Sequence, residues 1–517
     1  MKRSCVIFVF VFLFVATIVH AQDSVPTKMT IHAGYGTVTM GDVQWQRFSF
    51  RPDIPLGNFG VGLDVELFID EKGKISKEGW DFSNKNKAWD AILRKIYYVR
   101  YGKQLDRIYG RAGALDDVSI GYGLIMDGYR NTLNYPAEKK LGLDFSLKDI
   151  GTFGIGVHGM VNSFGDIKNN GMVVGGRVTA RPLKPMDKGL ISRLTIGATI
   201  VRDINQFAGL KDSDADGYPD FQDGFPDDRN LWLDTDRDGI TDYTVSGSDT
   251  TFIDPDADGD NLTDKWYTDN QGYGTLDTDG VEHDELLNIK DNVDGVSLYG
   301  FDTGLPLIEG KVNLDLYGQY AGIHTGNEGL DGGWGIAVPG LQLLVDRFRG
   351  RIEYRHFEGR FRGNYFDNLY EHDRVNLVNG RIITKEMTLD DQILNGMYGM
   401  AGYNFYELFS ARGTFQVMKG DKEYQDLTGK IVIQERLLEN IPKISIAEAY
   451  YYNTYVDMDR YNILNYTENT LYGTRIGFEV APSLIIVWDT RYTFTPNGRG
   501  GLDRQRFVGI ETVVKMR

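Results

Sequence analysis

Cysteine is almost absent from this chain: the only one in 517 residues is Cys5. It lies just before an apolar run, Val6–Val19, that follows two basic residues. This arrangement predicts a secretory signal peptide at residues 1–21, cleaved before Gln22. The run is shorter than the ~20 residues that a membrane-spanning helix needs. Since Cys5 would leave with the signal, the exported chain would have no disulfide and no cysteine-based metal site, as is typical of bacterial envelope proteins.

Catalytic and nucleic-acid-binding patterns are also missing. The sequence has no G-x-S-x-G elbow, no H-E-x-x-H run and no histidine pair at i, i+4. We therefore expect no enzyme. A barrel-embedded hydrolase, whose catalytic residues would be distant in sequence and meet only in the folded chain, is kept as a third hypothesis. His356 lies beside Tyr354 on the apolar face of a predicted strand, which favours a packing or interfacial role. No basic patch could hold phosphates, so nucleic acid is not an expected partner.

Helical periodicity is scarce, and alternation with a period of two recurs. Residues 311–320, 193–201 and 409–417 each place apolar side chains on one face and polar side chains on the other. A soluble sandwich would bury the apolar face, whereas a membrane barrel would turn it to lipid. The stretches have the nine or more residues that a membrane strand needs, and aromatic residues end their apolar faces. Both features favour the membrane barrel, with charged residues such as Glu353 and Arg355 facing its lumen.

The C-terminal region carries a resemblance to a known class. Residues 471–480 and 484–494 alternate around a tight turn, and a longer polar loop leads to a final alternating strand at 506–517. This alternation of short turns and longer loops between strands resembles that of bacterial outer-membrane β-barrel proteins, which have short periplasmic turns and longer external loops. The chain departs from them at its end, which is Lys515-Met516-Arg517 rather than an aromatic residue. The resemblance implies an all-β fold, an antiparallel transmembrane β-barrel of about 16 strands (range 14–18), located in the outer membrane.

The net charge of −17 is concentrated in one segment. Residues 211–285 contain 23 Asp and Glu against 4 Lys and Arg, which is −19, so the rest of the exported chain is close to neutral. The predicted organisation is a signal peptide at 1–21, an N-terminal part of the barrel at 22–204, an acidic insertion at 205–294, and a C-terminal part of the barrel at 295–517.

Three stretches of the insertion superimpose on the pattern D-x-D-x-D-[GN]-x-x-D. Glycine or asparagine in the sixth place suits a left-handed backbone that would wrap the preceding carboxylates around one point. Calcium takes 6–8 oxygen ligands and is the cation that such a loop suits. We therefore predict about three or more Ca²⁺ ions. The predicted ligands, including an added twelfth residue in the first copy and a degenerate fourth copy, are Asp212, Asp214, Asp216, Asp220, Asp223, Asp234, Asp236, Asp238, Asp242, Asp254, Asp256, Asp258, Asp260, Asp264, Asp277 and Asp279.

The insertion as a whole resembles thrombospondin type 3 repeats, which implies a compact, helix-poor stack built around bound calcium. It lacks the cysteines of the animal versions of these repeats. The alternative is a solvated, disordered acidic tract. Such a tract would not need Phe221, Trp232 and Trp266, which are scattered through the segment.

Two functions follow from this composition. The first is a porin-like channel with a calcium-stabilised surface loop. The second is a structural, docking or adhesion protein, in which the barrel anchors the calcium module for a partner. The expected partners are outer-membrane lipid and an envelope protein or surface polysaccharide. The insertion would be external if an odd number of strands precedes it, and periplasmic if the number is even.

Overall fold

The structure is a computed structural model of the chain. It describes residues 30–40, 43–70, 72–76, 80, 82, 88, 91–92, 95–104, 106–133, 139–186, 189–235, 237–246, 249–253, 266–268, 274–276, 286–326, 329–378, 381–405, 408–433, 435–438, 444–458, 462–481, 484–496 and 501–516. The predicted signal peptide lies outside the described residues.

Strands dominate the described residues. In the N-terminal part they are β1 (Thr30–Met40), β2 (Val43–Leu56), β3 (Phe59–Leu63), β4 (Val65–Ile69), β5 (Ile96–Tyr101), β6 (Ile108–Gly113), β7 (Val118–Ile120), β8 (Met126–Tyr129), β9 (Gly142–Ile150), β10 (Ile155–Val161), β11 (Val173–Ala180) and β12 (Thr195–Asp203). In the acidic insertion they are β13 (Tyr243–Ser246), β14 (Asp249–Phe252), β15 (Trp266–Thr268) and β16 (Gly274–Leu276). In the C-terminal part they are β17 (Val296–Ile308), β18 (Val312–His324), β19 (Gly333–Val345), β20 (Phe348–Gly359), β21 (Val375–Val378), β22 (Arg381–Thr384), β23 (Gln392–Phe405), β24 (Phe409–Lys419), β25 (Glu423–Ile433), β26 (Ile444–Asp457), β27 (Thr470–Ala481), β28 (Leu484–Pro496) and β29 (Leu502–Met516).

Helices are few and short in the part of the chain that the structure describes. Those with described bounds are the single-turn α-helices Tyr370–Asp373 and Glu435–Leu438 and the 3-10 helices Gly165–Asn169, Lys184–Met186, Leu190–Arg193, Gln206–Gly209 and Lys385–Thr388, and Ala88, Ala91 and Ile92 are helical as well. None of the described helices has the length and apolarity to cross a membrane.

The described strands confirm an all-β, antiparallel barrel. Twenty-one strand segments form one sheet in which neighbours along the chain pair antiparallel, and β29 pairs with β1 from Ile31↔Met516 to Thr37↔Ile510. β3 and β4 both pair with β2 and are separated only by Asp64, so the barrel has about 20 strands. The prediction of about 16 was therefore too low. It missed strands in the N-terminal part, where β5 and β6 are only six residues long and show no extended alternation.

The barrel exposes its apolar face and buries its polar face. On β18, the predicted apolar residues Leu316 and Tyr320 are 38% and 36% exposed, whereas Tyr317 and Gln319 between them are buried. On β12, Ile196 and Ile200 point outward and Val201 points inward. A protein surface in water does not select a continuous apolar face on strand after strand, whereas lipid does. The alternation predicted from the sequence is thus confirmed.

Long and short connections separate to opposite ends of the barrel. Most connections at the end that holds the start of β1 and the end of β29 are short, as at Leu56–Phe59 and Val345–Phe348, and the longest one there joins β11 to β12 over residues 181–194. The long connections, β6 to β9, β12 to β17 and β20 to β23, all lie at the other end, called here the long-loop end. Nine barrel strands precede the acidic segment, namely β1, β2, β3 with β4, β5, β6 and β9–β12. The acidic segment between Asp203 and Val296 therefore leaves the barrel at the long-loop end.

Candidate functional site: acidic loops above a filled lumen

The first acidic copy folds into a tight loop around its own carboxylates. Asp212, Asp214 and Asp216 each offer an oxygen within 4.8 Å of the others. Gly217, in the sixth place, has φ +114° and donates its N–H to Asp212 Oδ2 at 3.1 Å. Only glycine adopts this backbone readily, so the sixth place closes the turn as its sequence predicts.

Several oxygens of this loop are buried and lack a donor. Asp212 Oδ1, Asp214 Oδ2, Asp216 Oδ2 and Asp223 Oδ2 are each inaccessible to solvent without a hydrogen-bond partner. Asp223, the predicted twelfth residue, is only 8% exposed. Burial, together with the neighbouring carboxylates, raises the pKa of Asp214 and of Asp223 to about 6. Gathered acceptors without donors are costly unless a cation compensates them, so the donor set fits a hard divalent cation.

The second copy repeats the hydrogen bonds of the first, place by place. Gly239, in the sixth place with φ +89°, donates to Asp234 Oδ2 at 3.1 Å. The seventh N–H donates to the fifth carboxylate at 2.7 Å in both copies, from Tyr218 to Asp216 and from Ile240 to Asp238. The fourth place has positive φ in both copies as well, at Ala215 and Arg237. Two copies thus share one backbone conformation.

The ninth residues accept hydrogen bonds from the second residues of their own loops. Asp220 accepts from the N–H and hydroxyl of Ser213, at 2.7 and 2.8 Å, and Asp242 accepts from the same groups of Thr235, at 3.1 and 2.6 Å. Each ninth carboxylate therefore binds the second residue of its own loop. Its role as a metal ligand stays a prediction, and the side-chain hydroxyl in the second place gives it a local hydrogen-bond partner.

Only some of the other predicted ligands belong to the described residues. Asp234, Asp238 and Asp242 belong to the described second copy, and Asp234 Oδ1 is buried without a hydrogen-bond partner. The others lie outside the described residues: Asp236, Asp254, Asp256, Asp258, Asp260, Asp264, Asp277 and Asp279.

The first copy is fastened to the rim of the barrel. Gly217 O accepts from the N–H of Ile289 at 2.8 Å, and Ala215 O accepts from Lys290 Nζ at 2.7 Å. Asn205, just after β12, donates to Ile289 O at 2.7 Å. The entry and exit of the acidic segment are thus joined to each other and to its first loop.

Below this segment, a hairpin crosses the barrel lumen. Residues 114–133, called here the plug hairpin, include β7 and β8. Its Tyr122 stacks on the inward-facing Tyr317 of β18, with ring centroids 4.0 Å apart and planes within 2°. At the base of the hairpin, Leu133 O accepts a hydrogen bond from Arg491 of β28. β18 and β28 are eight strands apart in a ring of about 20, so the hairpin reaches nearly opposite walls.

A second segment, residues 360–391, called here the plug loop, packs against the plug hairpin. Asn364 N–H donates to Leu124 O at 2.7 Å, and Phe366 N–H donates to Ile125 O at 3.1 Å. One buried apolar cluster joins both segments to the inner wall. Its members are Leu115, Val118, Ile120, Leu124, Ile125, Met126, Tyr129, Met160, Val173, Val201, Val296, Leu298, Ala321, Ile323, Ala337, Phe357, Phe361, Tyr365, Phe366, Tyr370, Leu389, Leu394, Met418 and Tyr424.

Charged groups of the wall hold the plug hairpin in place. Asp127 of β8 forms a salt bridge with Arg351 of β20 and lies 3.2 Å from Arg412 of β24. Glu353 and Arg355, predicted to face the lumen, do so and pair at 2.6 Å with both side chains fully buried. Buried pairs of this kind are costly to break, because the remaining charge is left without a partner.

A second buried pair holds the plug loop. Arg374 Nη2 lies 2.8 Å from Asp203 Oδ1 at the end of β12, and both side chains are fully buried. Tyr370 donates its hydroxyl to Asp203 Oδ2 at 2.8 Å, and Arg374 also donates to Asn205 O at 2.9 Å. The pair thus connects the plug loop to the strand from which the acidic segment departs.

Sequence reasoning missed both plug segments. Their apolar residues do not alternate. No local sequence pattern distinguishes a loop that enters a barrel from one that points outward. The available signal was the density of aromatic residues between Phe361 and Tyr370, which an external loop in water would not need. His356, predicted to be interfacial, lies at 5.5 Å from the ring of Trp334 and bonds Asn395 at 2.8 Å.

No known family profile matches the chain, and no curated protein matches it in sequence. Solved structures of β-barrels do match. Wzi, described as a carbohydrate-binding outer-membrane protein involved in capsule assembly in Escherichia coli, has 10% identity and a TM-score of 0.29, covering 94% of this chain and 84% of its own. The FrpB iron transporter from Neisseria meningitidis has 8% identity and a TM-score of 0.32, with coverages of 95% and 82%. The ferripyoverdine receptor FpvA of Pseudomonas aeruginosa has 10% identity and a TM-score of 0.35, with coverages of 94% and 72%. At these values the likenesses carry no argument about the activity of this chain.

Proposed function

We propose that the protein is an outer-membrane β-barrel, closed at rest by its own plug segments, that anchors an external calcium-ordered module for a partner. The observation that carries this proposal is that the plug hairpin spans the lumen and is fixed there by a buried ion pair between Asp127 and Arg351. An open porin-like channel would require both plug segments to leave the lumen. The anchoring function requires no such movement.

The outward apolar face supports placement in the outer membrane. A bilayer covers the exposed apolar rows that water would not, and a closed barrel satisfies its backbone groups internally. In barrels of this class the long connections are external, which supports an external position for the acidic segment.

Calcium is the cation proposed for the acidic module. In the first copy, Asp212, Asp214, Asp216 and Asp223 would hold it, together with the carbonyl of Tyr218 in the seventh place. The bound ion would supply the positive charge that four gathered carboxylates need. With the ion present, the module would be stiff enough to present a fixed surface to a protein or polysaccharide.

Replacing Asp214 and Asp216 together by Asn should remove about one Ca²⁺ from the purified protein, because two of the four carboxylates lose their charge. Equilibrium dialysis or isothermal titration of the chelator-treated protein measures the stoichiometry. The matched control is Asp227→Asn, which removes an exposed carboxylate of the same segment outside the loop. Heat-modifiable migration of the barrel should be unchanged in all variants. Unaltered stoichiometry in the double variant would contradict the assignment.

Protease access in intact cells tests the placement of the module. Residues 211–285 should resist cleavage in calcium and become cleavable after chelator is added, since metal-free carboxylates repel one another and loosen the loops. The control is the same treatment of the Asp214→Asn, Asp216→Asn variant, which should be cleaved more readily before chelation. Resistance in whole cells under both conditions, with cleavage only after lysis, would place the module in the periplasm.

Reconstitution in planar bilayers tests the closed state. The wild-type barrel should show no steady conductance, because the plug segments occupy the lumen. A stable ohmic conductance from the wild-type protein would instead favour the porin-like function.

A further inference from the structure

An aromatic row crosses the outer surface of the barrel near the long-loop end. Tyr451 of β26, Tyr472 of β27 and Tyr492 of β28 are register partners and share the outward face. The rings of Tyr472 and Tyr492 lie 4.8 Å apart with planes 23° apart. Tyr466, from the connection before β27, stacks on Tyr472 at 5.4 Å and is 48% exposed. The row therefore presents aromatic ring faces at the barrel surface.

Two arginines continue this surface on β29. Arg506 is the register partner of Tyr492, and Arg504 is the partner of Phe494, so both share the outward face. Their guanidinium carbons lie 5.9 and 5.2 Å from the centroid of the Tyr492 ring. Within the described part of the chain, neither arginine forms an ion pair with a carboxylate.

The position of these arginines relative to the apolar face is unusual. Below them on the same face of β29 lie Val508 and Ile510, and Ile510 is 43% exposed. Unpaired positive charge beside a lipid-facing row is unfavourable unless an anion or water receives it. Long side chains reach towards the bilayer surface, so the two guanidinium groups would lie at the level of lipid headgroups.

We propose that Arg504, Arg506 and the neighbouring aromatic row bind the phosphorylated sugar headgroup of an outer-leaflet glycolipid. This inference rests on the proposed outer-membrane location. Guanidinium groups form charge-assisted hydrogen bonds with phosphate oxygens, and the two arginines supply the complementary charge. The exposed ring of Tyr466 supplies a flat apolar surface against which the C–H face of a sugar packs. An ordinary phospholipid would use only the arginines.

Native mass spectrometry of the folded barrel in detergent tests the proposal with three probes: phosphorylated lipid A, dephosphorylated lipid A and phosphatidylglycerol. Wild-type protein should retain phosphorylated lipid A at concentrations where the other two dissociate. The double variant Arg504→Gln, Arg506→Gln should weaken that binding by about tenfold or more, because both charged donors are lost. Tyr466→Ala should weaken lipid A binding and leave phosphatidylglycerol binding unchanged.

The matched control is Arg202→Gln. Arg202 is an exposed arginine on the outward face of β12, also near the long-loop end, with no aromatic ring contact in the described part of the chain. Binding should be unchanged in this variant. Equal loss in Arg202→Gln and in the double variant, or equal retention of phosphatidylglycerol and lipid A, would overturn the glycolipid assignment.

The proposed outer-membrane location and the proposed headgroup site can be refuted separately. A wild-type protein that shows no heat-modifiable barrel in membranes would refute the proposed function itself. A correctly inserted barrel that does not bind phosphorylated lipid A would refute only the headgroup site.

Discussion

A barrel without its plug segments should conduct ions freely. The plug hairpin and the plug loop each lie in a connection between two directly paired wall residues, Gly113↔Gly142 and Gly359↔Gln392. Residues 114–141 and 360–391 can therefore each be replaced by an Asn-Gly turn, which suits a two-residue hairpin. The deletions leave the paired strands of the wall intact.

The expected effect is large because a barrel of this size has a wide lumen once emptied. Barrels of about 16–18 strands already enclose an aqueous channel, so the double deletion should raise single-protein conductance by at least about tenfold over wild type. Deleting only the plug hairpin should give a smaller rise, since the plug loop still fills part of the lumen. Planar-bilayer recordings on heat-modifiable, refolded protein measure both.

The control for this experiment is removal of the β13–β14 hairpin, which belongs to the acidic segment and is not part of either plug segment. That deletion should leave the barrel closed. If the doubly deleted barrel folds and inserts yet stays silent, the two segments do not determine the closed state.

The second large effect concerns the fully buried pair of Arg374 and Asp203. Arg374→Met should destabilise docking of the plug loop by about 3–5 kcal/mol, because Asp203 would be buried without its cation. Hydrogen exchange of residues 360–391 measures the change, and exchange there should accelerate strongly while the barrel strands stay protected.

A matched control and a compensating variant sharpen this prediction. Arg381→Met removes an exposed arginine of the same segment and should change exchange little. The double change Asp203→Leu, Arg374→Leu should recover part of the lost protection, since the charge of Asp203 is removed together with that of its partner, and Glu371 keeps its salt bridge with Lys140. Unchanged exchange in Arg374→Met would show that the apolar cluster alone holds the plug loop.

For the fold, the sequence predicted the apolar face of the strands correctly but not the number of strands. Alternation on β12, β18 and β24 predicted which face of each strand carries the apolar residues, because the two sides of a strand alternate strictly along the chain. The strand number was underestimated, because β5 and β6 are too short to show alternation and are held by their neighbours.

In the acidic loops, the sequence pattern predicted the local backbone conformation. The repeated Asp spacing and the sixth-place glycines Gly217 and Gly239 predicted a turn that both described copies adopt. Asp220 and Asp242 also accept hydrogen bonds from hydroxyls seven residues away, on Ser213 and Thr235, which the ligand pattern does not include.

The sequence by itself determined the alternating strands and the turns of the acidic loops, since both depend on neighbours a few residues apart. Only the tertiary structure decided that the plug segments fill the lumen, that Arg374 meets Asp203, and that Arg504 and Arg506 lie beside an aromatic row. Those contacts join residues far apart in the chain, and closure of the barrel brings them together. Strand order and register, which periodicity does not specify, therefore set the interior and the outer surface of this protein.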